Sequence, residues 1–140
     1  MSRADKFTPE NKKSDLYSDF LNNFDQNPVT GFLARVTNEE PVKQGIKNII
    51  LTSVGERFYD SNKGSKIKNS LFDIYDPSNI EIIKIQAKEA IERYEPRAII
   101  QDIRFNPDLD RNAYYMTIIY SVINIPDQQF NLTINILRVR

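Results

Sequence analysis

The sequence predicts a small α+β domain, with helices first and an antiparallel sheet of about three strands last. Two observations lead to this prediction. Apolar residues recur at helical spacing in segments that end near Tyr94, and the apolar period changes to two after Arg97. Turn-forming residues at 106–108 and 124–127 then divide the second half into pieces of strand length.

Composition is typical of one domain and excludes several classes of function. The chain has 140 residues, with 19 basic and 19 acidic side chains, and it contains neither Cys nor His. Disulfide frameworks, thiolate chemistry and Ser-His or Cys-His catalysis are therefore excluded. The balanced charge gives no general attraction to nucleic acid or anionic lipid and favours association within an assembly. We predict no cofactor, no nucleic-acid partner and no membrane partner.

The N-terminal part of the chain divides into an arm and an anchor. Residues 1–13 are polar except for Phe7 and do not resemble a signal peptide, so we expect a flexible arm. Residues 14–140 are then the single domain, and the protein should stay in the compartment where it is made. An apolar cluster that docks on this domain or on a neighbouring chain comprises Leu16, Tyr17, Phe20, Leu21 and Phe24.

The first helix is predicted to begin between residues 38 and 42 and to be ended by Thr52-Ser53-Val54-Gly55. Asn38 offers an N-cap, and Glu39 and Glu40 complement the positive end of the helix. One apolar face comprises Val42, Ile46, Ile49 and Ile50. Gly45 within this face weakens the helix by about 1 kcal/mol relative to Ala, which suggests that it permits close packing.

Two further helices are predicted before Arg97. Residues 56–60, a charged pair followed by two aromatic side chains, precede a turn at 62–65 and a short amphipathic helix containing Ile67, Leu71 and Phe72. The segment Asp76-Pro77-Ser78 caps a long helix that runs from about Ser78 to Tyr94. Its apolar face comprises Ile83, Ala87, Ala90, Ile91 and Tyr94.

Opposite charges follow the end of this long helix. Pro96 disfavours helical geometry at the preceding residue, which predicts the helix end near Tyr94. Glu95 then lies at the negative end of the helix dipole, where a carboxylate needs a nearby cation. Arg97 is two residues further on and points to the same side of an extended segment. The two residues form either an ordinary surface ion pair or one clasp, which is closed on itself or opens onto a partner.

Three strands are predicted after Arg97. In the first, Ile99, Ile103 and Phe105 share a face, although Gln101 breaks the alternation. The segment from Tyr114 to Ile123 is apolar on both faces, which is typical of a central strand covered on both sides. The last strand places Phe130, Leu132, Ile134 and Ile136 on one face, and Asn131, Thr133 and Asn135 on the other.

The last strand raises the question of an open sheet edge. It runs almost to Arg140, so nothing later in this sequence covers its outer edge. An exposed edge can take up a strand from another chain. The alternative is a modest edge that Arg138 and Arg140 protect. The residues alone favour neither reading.

The order and spacing of several short motifs resemble one family, the baseplate wedge proteins that initiate the tail sheath of contractile-tailed phages, with relatives in type VI secretion baseplates. The motifs are Y-S-D-F at 17–20, N-P-V-T-G at 27–31, V-K-Q-G-I-K-N-I-I-L-T at 42–52, G-E-R-F at 55–58, G-S at 64–65, S-L-F-D at 70–73 and Y-E-P-R at 94–97. The likeness covers the chain from about Tyr17 through the last strand. Departures are Gly45, where many relatives carry Ser, and Lys63 before Gly64, where relatives often have an apolar residue.

This resemblance implies a structural role in the tail baseplate of a virion assembled in the host cytoplasm. Glu95, Pro96 and Arg97 would bind the core helical bundle of the wedge. The last strand would add a strand from the tail sheath protein, through Phe130, Asn131, Leu132, Thr133, Ile134, Asn135, Ile136, Leu137, Arg138 and Val139. Hub proteins near the tail tube are further expected partners.

Other functions find weaker support. A lysozyme-like peptidoglycan hydrolase, the alternative function, needs two carboxyl groups, one of them with a raised pKa. The candidates are Glu56, Asp60 and Glu95, and Arg57 and Arg97 stand close to two of them in sequence. A nearby cation lowers a carboxylate pKa, which is wrong for a general acid. We therefore predict no enzymatic activity.

Metal and nucleic-acid functions are weaker still. Asp108 and Asp110 lie near each other in a turn without the EF-hand pattern, so we predict no metal site. Basic residues that could contact nucleic acid are Lys63, Lys66, Lys68, Arg104 and Arg111. The balanced net charge argues against a stable phosphate-binding surface.

Overall fold

A computed structural model describes residues 16–70, 77–108 and 113–137 of the chain. Its elements are, in chain order, β1 (Ser18–Phe20), β2 (Arg35–Thr37), α1 (Glu39–Leu51), α2 (Ile67–Ser70), α3 (Pro77–Tyr94), β3 (Ala98–Asp108), β4 (Ala113–Val122) and β5 (Ile125–Leu137). The predicted arm 1–13, the helix residues Leu71 and Phe72, the cap residue Asp76, and Asp110, Arg111, Arg138 and Val139 lie outside the described residues.

The second half of the chain forms the predicted antiparallel sheet. Its strand order is β3-β4-β5, so β4 is the central strand. Ile103 pairs with Ile118, which in turn pairs with Leu132, and one row of apolar side chains therefore crosses all three strands. The α+β prediction is confirmed. The small antiparallel pair β1–β2, which precedes α1, was not predicted.

The helices and one face of the sheet share the core. α3 lies against β3, and α1 contacts both α3 and β5. The predicted apolar faces of α1 and α3 are buried, apart from the partly buried Tyr94. The core comprises Val42, Ile46, Ile50, Ile67, Ile83, Ala87, Ile91, Ile100, Ile103, Phe105, Met116, Ile118, Tyr120, Leu132, Ile134 and Ile136, among others.

The prediction that β4 is covered on both sides is wrong. Its outer face carries half-buried Tyr115, Thr117 and Ile119, and no described element forms a second layer over them. These side chains are shielded by their neighbours across the strands. The hydroxyl oxygens of Thr117 and Thr133 lie 3.2 Å apart, for example. Cross-strand contacts of this kind favour β-branched residues even on a face that is open to solvent.

A bulge in β3 changes which residues face the core. Ile100 pairs with Tyr120 and Asp102 with Ile119, so Gln101 is an extra residue. Ile100, Ile103 and Phe105 are buried, whereas Ile99 is half-exposed. The predicted placement of Ile99 beside Ile103 was therefore wrong, because the bulge reverses the alternation at the residue that interrupted it in the sequence.

The N-terminus of α1 is fixed differently from the prediction. Asn38 occupies the N-cap position with φ +61°, but its side chain makes no capping hydrogen bond. Its side-chain oxygen instead accepts a weak hydrogen bond from the Leu16 N–H at 3.4 Å, and its N–H donates to the Tyr17 carbonyl at 2.9 Å. Asn38 therefore joins the N-terminal segment to the start of α1.

A buried hydroxyl in the core leads to a stability prediction. Tyr120 is fully buried beside Phe130, and its hydroxyl has no hydrogen-bond partner among residues 16–70, 77–108 and 113–137. Burial raises the pKa of Tyr120, and the charges of Glu40 and Glu39 raise it further. We expect Tyr120→Phe to raise the free energy of unfolding by about 1 kcal/mol, because the variant removes an unsatisfied buried group.

Urea unfolding of the two proteins measures this difference. The pKa of Tyr120 is higher in the folded state than in the unfolded chain. Below the unfolded-state pKa, Tyr120 is neutral in both states and its titration costs no stability; above it, ionisation favours the unfolded chain. The wild type should therefore lose more stability than the variant above about pH 10. Tyr115→Phe, on the half-buried outer face, is the control and should change stability by less than about 0.5 kcal/mol. A destabilised Tyr120→Phe would mean that the hydroxyl is satisfied after all.

Candidate partner-binding surfaces

The first candidate surface is the corner between α3 and β3. The Glu95 N–H donates to the Ile91 carbonyl at 2.7 Å, and the Ala98 N–H donates to the Glu95 carbonyl at 3.0 Å. The chain therefore leaves the helix through one tight turn, as Pro96 predicted. Pro96 is exposed, whereas Glu95 is only 5% exposed. We call residues 95–97 the helix-end corner.

Glu95 and Arg97 form a closed, two-point ion pair. Arg97 Nε lies 2.5 Å from Glu95 Oε1, and Arg97 Nη2 lies 2.9 Å from Oε2. The hydrogen bond to Glu95 raises the pKa of the Arg97 guanidinium above its ordinary value, although partial burial opposes the shift. Because the Glu95 carboxylate is buried, this is not an ordinary surface pair. In the isolated chain, the charges of Glu95 and Arg97 neutralise each other.

Gly45 makes room for the buried carboxylate. A Cβ atom added to Gly45 would lie 2.3 Å from Glu95 Oε2, closer than real atoms approach. The glycine in α1 therefore permits close packing, as its position suggested, and the group it accommodates is the Glu95 carboxylate.

The N-terminal segment covers the other side of the corner. The Tyr17 ring lies 5.1 Å from Arg97 Cζ, a cation–π distance, and the Tyr17 hydroxyl accepts a hydrogen bond from Asn124 Nδ2 at 2.5 Å. The anchor is thus divided: Tyr17 packs against the domain, while Leu16, Phe20 and Phe24 remain exposed. Tyr17 belongs to the predicted apolar cluster and to the Y-S-D-F motif, whereas no motif in the sequence indicated Asn124.

The second candidate surface is the outer edge of β5. In the described part of the chain, β5 pairs with β4 alone and no strand lies on its other side. Residues 129–137 contain no charged residue, no proline and no glycine. Leu132, Ile134 and Ile136 point into the core, and Asn131, Thr133 and Asn135 are exposed.

One hydrogen bond establishes which β5 backbone groups face this edge. The Ile123 N–H donates to the Arg97 carbonyl at 3.0 Å, so odd-numbered positions of β4 direct their backbone groups towards β3. The direction alternates along an antiparallel strand, and even-numbered positions therefore face β5. Their partners on β5 are Phe130, Leu132 and Ile134. The intervening residues that direct N–H and C=O groups to the open edge are Asn131, Thr133 and Asn135.

The opposite edge of the sheet, along β3, is less regular. It contains the Gln101 bulge and an exposed ion pair in which Arg104 Nε lies 2.9 Å from Asp102 Oδ2. Bulges and charges are common devices that prevent a sheet edge from pairing with another chain. β5 is also irregular between Ile125 and Gln129, where it contains Pro126 and Asp127, but residues 129–137 are regular and uncharged. This segment is therefore the part of the two edges best suited to take up a strand.

Comparison with known proteins agrees with this architecture. A family model described as baseplate wedge protein gp25 matches residues 36–127, more than half of the chain. The chain belongs to the gp25 family of baseplate wedge proteins. One relative, baseplate wedge protein gp25 of Enterobacteria phage T4, is 28% identical over 86 residues, which are 61% of this chain and 65% of the relative. The aligned part thus spans less than two thirds of that relative's length.

Three solved structures share the fold. A Geobacter sulfurreducens protein, provisionally named a tail lysozyme, has a TM-score of 0.67 at 24% identity, covering 73% of this chain and 92% of that one. A chain of the anti-feeding prophage baseplate has a TM-score of 0.61 at 19% identity, covering 89% of this chain and 87% of that one. A chain of the post-contraction pyocin R2 baseplate has a TM-score of 0.51 at 15% identity, covering 81% of this chain and 96% of that one. These likenesses show that the fold is shared.

The catalytic candidates do not form an acid–base pair suited to a hydrolase. Glu56 is exposed, and a hydrogen bond from the Ser53 N–H, followed by the charge of Lys68, lowers its pKa. The predicted direction is confirmed, although Arg57 is a minor cause. Asp60 is exposed, and both carboxylate oxygens of Glu95 bind Arg97. A general acid needs a pKa shift opposite to that of Glu56.

The described residues also test the metal, nucleic-acid and membrane alternatives. Within residues 16–70, 77–108 and 113–137, no three acidic side chains cluster as a metal site requires. Among the basic candidates, Lys68 lies 3.7 Å from Glu56, and Arg104 is paired with Asp102. No helix in these same ranges is long and apolar enough to span a membrane.

Proposed function

We propose that this chain is a wedge subunit that attaches to the core helical bundle of the wedge and starts polymerisation of the tail sheath. The open edge of β5 carries this proposal. Its segment 129–137 carries no charged residue, directs N–H and C=O groups to the open edge, and buries Leu132, Ile134 and Ile136 in the core. A strand from the sheath protein that pairs there would gain backbone hydrogen bonds in a defined register.

The helix-end corner is the proposed contact with the wedge core. Pro96 is exposed, and about a third of the Arg97 side chain is accessible, at 36%, while Glu95 is nearly buried. We therefore assign direct contact to Pro96 and Arg97. Glu95 acts indirectly, because its two hydrogen bonds hold the guanidinium in one orientation. A fixed guanidinium loses little side-chain entropy on binding.

The proposed surroundings follow from these two contacts. The partners are the other wedge proteins of the core bundle, the tail sheath protein and, near the tail tube, hub proteins. The location is the tail baseplate of the virion, after assembly in the host cytoplasm. Peptidoglycan hydrolysis is not proposed, because none of the three candidate carboxylates suits a general acid: the pKa of Glu56 is lowered, Asp60 is exposed, and both oxygens of Glu95 bind Arg97.

Thr133→Pro tests the sheath contact. Proline removes an N–H that faces the open edge and leaves the ladder to β4 intact, a position where edge strands tolerate proline. We expect the variant to fold, to enter baseplates and to reduce the number of sheathed tails at least about tenfold, since an added strand would lose a hydrogen bond and meet the proline ring. Electron microscopy of tails from producing cells counts the sheaths.

Thr133→Ala is the matched control for this experiment. It removes the contact with the Thr117 hydroxyl, as proline does, but retains the backbone N–H. Normal sheaths are expected with this control. Sheaths of normal number on tails carrying folded Thr133→Pro would contradict the proposal that β5 nucleates the sheath.

A further inference from the structure

Two adjacent aromatic side chains in the loop between α1 and α2 are fully exposed. Phe58 is 100% and Tyr59 is 102% exposed, the two largest values among the exposed large apolar residues of the described chain. Their ring centroids are 6.2 Å apart in an edge-to-face arrangement. Aromatic side chains bury roughly 150–250 Å² each when they find a partner surface. We call residues 57–60 the aromatic tip.

The loop that carries the aromatic tip is held by its own hydrogen bonds. The Gly55 N–H donates to the Ser61 carbonyl at 2.7 Å, and the Ser53 N–H donates to Glu56 Oε2 at 2.8 Å. At the base of the loop, the Ser65 N–H donates to the Thr52 carbonyl at 2.9 Å. The tip therefore has a defined backbone, so its exposed rings are presented on a fixed scaffold.

Glycine is required where this loop closes. Gly64 has φ +147°, and a Cβ atom there would lie 2.7 Å from the Thr52 carbonyl oxygen. Gly55 has φ +92° at the turn that leads into the tip. The glycines and Glu56 of the G-E-R-F and G-S motifs thus shape the loop, whereas the fully exposed Phe58 ring packs edge-to-face against Tyr59 and buries almost none of its surface in the domain.

Polar and mainly basic groups surround the apolar tip. An open groove of about 720 Å³ lies between the base of the loop and α3, and its walls include Lys66, Glu89 and Arg93. Residues 54–68 contain four cations and two anions, a local charge of +2 in a chain of net charge zero. An apolar centre within a polar rim is the usual organisation of a protein–protein interface.

We propose that the aromatic tip docks Phe58 and Tyr59 into an apolar cleft with an acidic rim on another protein of the baseplate. The inference rests on the proposed place of the chain in a baseplate, but it uses neither the helix-end corner nor β5. Rigid aromatic side chains bury much apolar area at little entropic cost, and Tyr and Arg are frequent interface hot spots. Arg57, beside the two rings, faces the acidic rim.

A protein partner fits these observations better than nucleic acid or a membrane surface. Binding to phosphates relies on several free cations, and of the four in this segment Lys68 lies near Glu56. Asp60, next to Tyr59, would repel a phosphate backbone or anionic headgroups. The tip thus combines apolar area with only a small excess of positive charge.

The test uses the full-length chain in assembled tails. A photo-crosslinking benzoylphenylalanine replaces Phe58, and purified tails are irradiated and their cross-linked products identified by mass spectrometry. In parallel, the double variant Phe58→Ser/Tyr59→Ser is compared with wild type. We expect cross-links to one baseplate protein and at least about a tenfold loss of the variant from baseplates. The urea midpoint should not change, because both rings are fully exposed in the isolated domain.

Ile82→Ser/Ile85→Ser is the matched control. These residues of α3 are 48% and 57% exposed, so the control also removes two exposed apolar side chains from a fixed element. It should enter baseplates normally. Normal incorporation of Phe58→Ser/Tyr59→Ser, or cross-links to nucleic acid or lipid instead of protein, would overturn the inference. If Phe58→Ser/Tyr59→Ser enters baseplates normally while Thr133→Pro loses sheaths, the inference about the aromatic tip is wrong and the proposed function stands.

Discussion

Arg97→Ala is expected to lower the free energy of unfolding by about 1–3 kcal/mol, measured by urea denaturation of the isolated protein. The variant leaves the Glu95 carboxylate, only 5% exposed, without the two hydrogen bonds that offset its burial. Stranding a buried charge costs about 3–5 kcal/mol. We expect less here, because the Arg97 side chain is 36% exposed and water can reach part of the vacated space.

The chain contains a second pair with the same spacing, which serves as the matched control. Arg104 Nε lies 2.9 Å from Asp102 Oδ2, but these side chains are 67% and 51% exposed. Arg104→Ala should therefore change stability by no more than about 0.5 kcal/mol. The double variant Glu95→Gln/Arg97→Ala should recover part of the loss, since it leaves a neutral amide instead of a charge. Equal effects of Arg97→Ala and Arg104→Ala would show that the Glu95 carboxylate is not effectively buried.

This expectation affects how baseplate defects of corner variants are interpreted. A chain that lacks Arg97 loses the proposed contact with the wedge core and some of its own stability together. Arg97→Lys would separate the two effects, because it retains a cation near Glu95 without the two-point geometry. If Arg97→Lys restores the stability of the isolated protein but not its incorporation into baseplates, the guanidinium itself contacts the partner.

The sequence predicted the elements of the fold more fully than the environment of its charged residues. Helical periodicity located α1 and α3, and the end of α3 at Tyr94 is a local effect of Pro96. The turn predicted at 106–108 was wrong, because these residues pair with 113–115 as the end of β3, an edge strand in which proline is tolerated. The turn predicted at 124–127 is also shorter than expected, since β5 already begins at Ile125. The burial of Glu95 was not predictable in this way. It depends on Gly45, which only the tertiary fold brings against the carboxylate.

Errors in the strand predictions have a similar origin. Alternation places side chains on the two faces of a strand, but a single extra residue reverses it, and Gln101 did so for Ile99. Tyr115, Thr117 and Ile119 predicted a covered second face because β-branched and aromatic residues pack equally well against cross-strand neighbours. Whether a second layer exists depends on contacts between distant parts of the chain.

The other large effect concerns β5. A chain that ends at Gln129 is expected to be unfolded, because it lacks the inward-facing Leu132, Ile134 and Ile136, which are 5%, 3% and 4% exposed. Truncating one buried Leu or Ile to Ala costs about 2–5 kcal/mol, and a domain has about 5–15 kcal/mol of stability in total. Circular dichroism and urea unfolding measure the loss. A cooperative unfolding transition in the truncated chain would contradict this expectation.

Single substitutions on β5 separate its two faces. Ile134→Ala should cost about 2–5 kcal/mol, whereas its neighbour Asn135→Ala should stay within about 0.5 kcal/mol, because Ile134 lies in the core and Asn135 is exposed. Deletion of residues 130–140 is therefore unsuitable for testing sheath initiation, since it would remove the fold and the proposed contact at once. Because core side chains and edge N–H groups alternate along β5, a substitution at Thr133 can alter the edge while the core keeps its residues.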